Sequence, residues 1–144
     1  TAPWRTTGPI EWDLGVQGTY YTKYLFRAVP GAPTNNVLGL INFPQKFRSQ
    51  ADIGAKVGIF SSRLTWNHLA GYTNNTSTVV PKVANYDTFD LSLGVELFKH
   101  ARIGVDVRNL FNEDPPFVDT ARGYDPQSAN PLPRTISVSA QVKF

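Results

Sequence analysis

The chain has no cysteine and two histidines, His68 and His100, so any metal or nucleophile chemistry has to be built around those two rings. Neither has a second His, Asp or Glu at ligand spacing in the sequence, and a metal centre needs three or four converging donors. A Ser-His-carboxylate arrangement lacks the G-x-S-x-G string or any comparable strand-to-helix turn that would present its serine. Glu113, Asp114, Asp119 and Asp125 crowd one stretch, but without the regular spacing and the glycine of a calcium loop they read as solvated loop charges. The expectation is therefore a protein that is not an enzyme and holds no cofactor. Binding chemistry remains: Arg122 and Tyr124 combine a guanidinium fork with an aromatic face, which suits an anionic ligand. Arg27 and Arg48 are further cationic candidates.

Composition narrows the class. There are 14 Lys and Arg against 11 Asp and Glu, scattered rather than clustered, so no basic stripe points to nucleic acid. Apolar residues almost never run together. The longest clean run, Val37 to Ile41, is far short of the ~20 residues of a membrane helix, so a membrane would have to be met by strands. The segment TAPWRTTGP shows no charged region followed by an apolar one, and no signal peptide is read there.

The residues that could bind must be positioned by strands, because period-two alternation recurs along the chain and helical periodicity does not. From Ile10 to Arg27, Trp12, Leu14, Val16, Tyr20, Tyr24 and Phe26 share one parity. Phe47 to Ile59 alternates likewise, a turn is expected around Ser61 and Ser62, and Leu64, Trp66, Ala70 and Tyr72 mark a third strand. Phe89, Leu91, Leu93, Val95 and Leu97 oppose Asp90, Ser92, Gly94 and Glu96 in the fourth. After a short turn over FKHA, Arg102 to Phe111 is the fifth, and Arg134 to Phe144 alternates strictly to a terminal aromatic. The loops Ala28 to Lys46, Gly71 to Pro81 and Asn112 to Pro133 are rich in Pro, Gly and Asn.

The order of connections is long, short, long, short, long. An antiparallel up-and-down meander of about six strands with its long loops at one end is the pattern of a transmembrane β-barrel. On that reading one parity meets lipid and the other lines a lumen. Tyr24, Phe26, Phe47, Tyr72, Tyr86, Phe89 and Phe111 then gather toward the loop end, and Trp12, Phe60, Trp66, Phe98 and Phe144 toward the other, as two aromatic girdles. Lys23, Arg27, Arg48, Asp52, Lys56, Asp90, Glu96, Asp106 and Arg108 fall on the lumen parity, either as cross-strand ion pairs or along the path of a charged ligand. His68 and Asn109 fall on the lipid parity, where polar groups are costly.

The string NLFN at Asn109 to Asn112, followed by EDPPFV, GYDP at Gly123 to Pro126, NPLPR at Asn130 to Arg134 and a strand ending in Phe, resembles the C-terminal end of TonB-dependent outer-membrane receptors. The likeness is strong over Tyr86 to Phe144 and architectural before it. It implies the C-terminal segment of a 22-stranded barrel in the bacterial outer membrane, whose plug and TonB-contacting segment are not in this sequence. It further implies active import of a scarce nutrient, an iron-siderophore complex first, with cobalamin and carbohydrate as other cargoes. The partners implied are the remaining strands and the plug, TonB, lipid and lipopolysaccharide, and the assembly machinery, for which Phe144, Val142 and Ala140 would form the signal. In such a setting the sequons at Asn74 and Asn75 carry no glycan. The other reading of the same alternation is a small self-associating β-barrel or a soluble β-sandwich serving as a binding module.

Overall fold

A computed structural model of the chain describes residues 9–97 and 101–142. The strands in chain order are β1 (Glu11–Tyr20), β2 (Leu25–Phe26), β3 (Asn35–Asn36), β4 (Phe47–Val57), β5 (Phe60–Leu69), β6 (Tyr72–Thr73), β7 (Lys82–Val83), β8 (Tyr86–Leu97), β9 (Ala101–Arg108) and β10 (Thr135–Val142). Six of them form one antiparallel sheet in the order β1-β4-β5-β8-β9-β10. The short strands pair as two separate ribbons, β2 with β3 and β6 with β7, inside the long connections. The expected all-β meander is present, with all three long connections at one end.

Register explains why the sheet has two unlike faces. Cross-strand partners point to the same side, and Leu14, Ile53, Leu64, Leu91, Val107 and Ile136 are successive partners across all six strands. The adjoining row on that side is Trp12, Ala55, Ser62, Leu93, Val105 and Val138. A row on the opposite side reads Asp13, Gly54, Arg63, Ser92, Asp106 and Ser137. One face is therefore apolar from edge to edge, and nothing among the described residues covers it: Val16 is 71% and Val138 74% exposed. A one-residue slip of any strand would put its whole apolar set among the charges, so register is strongly specified.

Several boundaries differ from the sequence reading. The first strand ends at Tyr20, not Arg27. Its last rung is the bond from Tyr21 N to Lys46 O, after which Tyr24 N donates to Asn36 Oδ1 and Tyr24 O accepts from Val37 N, turning the chain into its own ribbon. The first hairpin turns at Gly58 and Ile59, whereas Ser61 and Ser62 lie within the ladder opposite Lys56 and Ala55. Gly58 has φ 56°, which a two-residue turn with glycine at its first central position requires. β5 ends at Leu69, leaving Ala70 and Tyr72 outside the sheet, and β9 ends at Arg108. Lys143 and Phe144, the end of the expected assembly strand, and the short turn with Phe98 and His100 lie outside the described residues. Ala140 and Val142 stand opposite Ile103 and Ala101 on the edge strand β10.

The aromatic levels are also revised. Trp66 is the cross-strand partner of Phe89 and so belongs to the loop-end level, not the far one. Tyr86 partners Leu69 on the polar side, and Tyr72 is buried among the loops.

The small core lies in those loops and not in the sheet. Ile41, Tyr72, Val83 and Val118 pack together, one or more from each long connection, with Val118 only 1% exposed. Ile41 N donates to Thr73 O and Thr73 N to Gly39 O, joining the first two connections. Asn74, fully buried at 0% exposure, joins the second to the third: its Nδ2 donates to Asp119 O at 2.9 Å, while its Oδ1 accepts from Thr76 N and Oγ1. A burial this complete leaves no room for a glycan on Asn74. The long connections thus form a packed cap over one end of the sheet.

Candidate functional site

The polar face carries two troughs of different character. The one away from the cap encloses about 730 Å³ and has Lys56, Arg63, Arg102 and Asp106 along it. Most of its charge is already matched within the sheet. Arg63 donates through Nη1 to Asp52 and through Nη2 to Asp13, clamping β1, β4 and β5 together. The fork reaches Asp13 two strands away because Gly54 lies between them, and a Cβ there would overlap the Asp13 carboxylate. Lys56 meets Glu96 at 3.3 Å, and Ser92 Oγ donates to Asp106 Oδ1 at 2.6 Å. Half-exposed pairs of this kind contribute about 0 to 1 kcal/mol each. They set the geometry of the wall.

The second trough, about 580 Å³, lies between the sheet and the cap. Its floor is Gln17, Arg48, Gln50 and Asn67 on the polar face, and Ser128 to Asn130 of the last connection form one side. That side is fixed in place by burial of Asp125, which is 2% exposed. Asp125 accepts from Gln127 N and Ser128 Oγ through its carboxylate and from Ser128 N and Ala129 N through its carbonyl, and Gln45 Nε2 donates to Ser128 Oγ. Burial and the negative charge of Asp125 together push the Tyr72 phenol up to about 12. Unfolding restores its ordinary value of 10.0, so an unfolded chain sheds this proton first. The cap's stability from this group is complete below about pH 10 and is lost as pH rises toward about 12. Urea-unfolding midpoints should fall across that window in the wild type and fall less in Tyr72→Phe; parallel curves would show that the phenol does not titrate in the cap.

The residues singled out in the sequence scatter around this trough. Arg48 lines it. Arg27, expected at the end of the first strand, follows the β2 ribbon instead and donates from Nε and Nη2 to Thr34 Oγ1. Arg122 is exposed in the last connection, and Tyr124, half-buried, accepts through its backbone carbonyl from Thr120 Oγ1. Arg27, Arg122 and Tyr124 are not among the residues that line this trough with Arg48.

The two polar residues that alternation places on the apolar parity have clear roles. Asn109 is not in a strand: at φ 52° it turns the chain, its side chain bonds both the N–H and the carbonyl of Glu113, and its N–H donates to Asp90. Asn112, at φ 56°, accepts from Arg134 N at 2.8 Å. The NLFN string is thus a turn in which two asparagines adopt the left-handed region that asparagine tolerates; Asn109 ties the start of the last connection to β8, and Asn112 ties that start to its end. His68 stays on the apolar face at the loop end, where its Nδ1 is 2.8 Å from Asp87 Oδ1, which also accepts from Trp66 Nε1 at 2.7 Å. That carboxylate, nineteen positions away, is invisible to ligand spacing and is found only through the β5/β8 register, in which His68 and Asp87 are direct partners. Among the described residues, no group of three or more His, Asp or Glu side chains could hold a metal ion.

The geometry is therefore that of a sheet with two unlike faces: an apolar side, a polar side with matched charges far from the loops, and a less committed polar trough under a packed cap. No family model, no curated protein and no solved structure matches the chain.

Proposed function

We propose that the six-stranded sheet is a section of the wall of a bacterial outer-membrane β-barrel of the TonB-dependent receptor type, which imports a scarce nutrient by energy transmitted through TonB. The observation that carries this reading is an uninterrupted apolar row across six strands, flanked by a second row that only Ser62 breaks, exposed on one side of a sheet whose other side is ionic. A water-soluble monomer rarely exposes a continuous apolar patch of more than a few hundred Å². Lipid covers such a face without a second protein layer, and a barrel is the sheet architecture that satisfies the backbone within it. The polar face then lines the lumen, the cap lies on the outer side, and the free edges of β1 and β10 pair with further strands of the receptor. The plug, TonB and the assembly machinery remain the partners on this reading.

The test is a depth measurement. Trp12 and Trp66 both lie on the apolar side, in register with Ala55 and Ala51. In a Trp4→Phe background refolded into vesicles, lipids brominated along the acyl chain should quench both indoles. Indoles that stay bright in brominated lipid would point instead to a β-sandwich whose apolar face is covered by protein.

A further inference from the structure

The trough under the cap has a lining that the rest of the polar face lacks. Among the described residues Arg48 is the one formally charged side chain along it, and no carboxylate lies within ion-pair distance of its guanidinium. The other polar groups are neutral and arranged with capacity to spare. Gln17 Nε2 donates to Gln50 Oε1 at 2.7 Å, which leaves the Gln17 carbonyl and the Gln50 amide N–H groups for a ligand. Asn67 spends its Nδ2 on Asp90 and Thr88, which leaves its carbonyl. Tyr86, at the same level, offers a half-buried ring. The side formed by Ser128 to Asn130 is held by the buried Asp125 and cannot swing away without breaking the hydrogen bonds that fix it. The volume falls within the ~300–1,000 Å³ of ordinary ligand sites.

We infer that this trough binds a hydroxyl-rich ligand bearing a single carboxylate, the chemistry of an acidic oligosaccharide, with Arg48 on the carboxylate and the Gln17, Gln50 and Asn67 amides on the hydroxyls. The inference rests on the proposed lumen-facing assignment of the polar side. Planar amides with both a donor and an acceptor are matched to sugar hydroxyls, which are donors and acceptors at once. One guanidinium fork matches one carboxylate. A ferric tris-catecholate complex, by contrast, carries several negative charges and no field of free hydroxyls. It would leave most of its charge unmatched against this wall, so an iron chelate of that charge does not fit the trough.

The experiment uses the whole chain in vesicles, after quenching of Trp12 and Trp66 by brominated lipid has been measured on the same sample. Calorimetric titration with an aldobiouronate (a disaccharide of one uronic acid and one neutral sugar), a neutral disaccharide of the same size and a ferric tris-catecholate complex should rank them in that order. Arg48→Gln should lower aldobiouronate affinity at least tenfold, toward that of the neutral sugar, and leave the neutral sugar within about twofold. Gln50→Leu should weaken both sugars. The ranking in the wild type needs no variant to fold. Quenched indoles without saccharide binding, or tightest binding of the ferric complex, would overturn the assignment of the trough alone; unquenched indoles would overturn it together with the proposed membrane wall.

Discussion

Leu93→Arg is expected to cost about 2 to 4 kcal/mol of membrane insertion, while Ser92→Arg, one residue earlier on the same strand, is expected to cost almost nothing. Leu93 lies in the middle of the apolar face between Ser62 and Val105, 45% exposed to whatever surrounds the sheet. On the proposed lipid-facing assignment, a guanidinium there would sit near mid-bilayer with neither water nor a carboxylate within reach. Ser92 stands between Arg63 and Asp106 on the wet side and donates to Asp106. A longer cation at that place stays hydrated and has a carboxylate beside it. Folding titrations into vesicles, read by the shift in the urea midpoint, measure both. Equal losses at the two positions would refute the facing assignment, and a large Leu93→Arg loss in lipid-free buffer would indicate a protein-covered face.

This asymmetry is legible in the amino-acid sequence because a half-wet strand shows its two faces in every second residue. The strands from Phe47, from Phe89 and from Thr135 agree with their alternation to within a few residues for that reason. The same rule overextends the first strand, since Tyr24 and Phe26 keep the parity after the backbone has left the sheet; they pack instead on Phe43 in the first connection, with ring centroids 6.2 and 5.3 Å away. It also places Asn109 in a strand, since parity carries no information about a positive φ. The cap is the least legible part. Its core of Ile41, Tyr72, Val83 and Val118 is assembled from three separate connections, each of which looks structureless by periodicity. The candidate site is obscured in the same way. Arg122 and Tyr124 are conspicuous by side-chain chemistry alone, whereas Gln17, Gln50 and Asn67 are ordinary until register stacks them beside Arg48.

The chain by itself is expected not to persist as a monomer. β1 and β10 are the two margins of an open sheet, and their outward backbone groups have no partner among the described residues. All eight residues of β10 are exposed. In hydrocarbon each unsatisfied N–H or C=O costs several kcal/mol, so the sheet is expected to enter a bilayer as copies paired along these margins and not as a single open sheet. In water the same margins template pairing, aided by an apolar face that no described residue covers. Because the sheet has six strands, β1 and β10 run in opposite directions. β10 of one copy can therefore lie antiparallel to β1 of another with apolar rows on the same side and caps at the same end. Detergent should yield discrete oligomers by this pairing, and plain buffer should yield heterogeneous aggregates. Size-exclusion chromatography with light scattering in each medium checks both expectations. A monodisperse, cooperatively unfolding monomer in buffer would mean that the apolar face folds back on protein within one chain, which is incompatible with a lipid-facing wall.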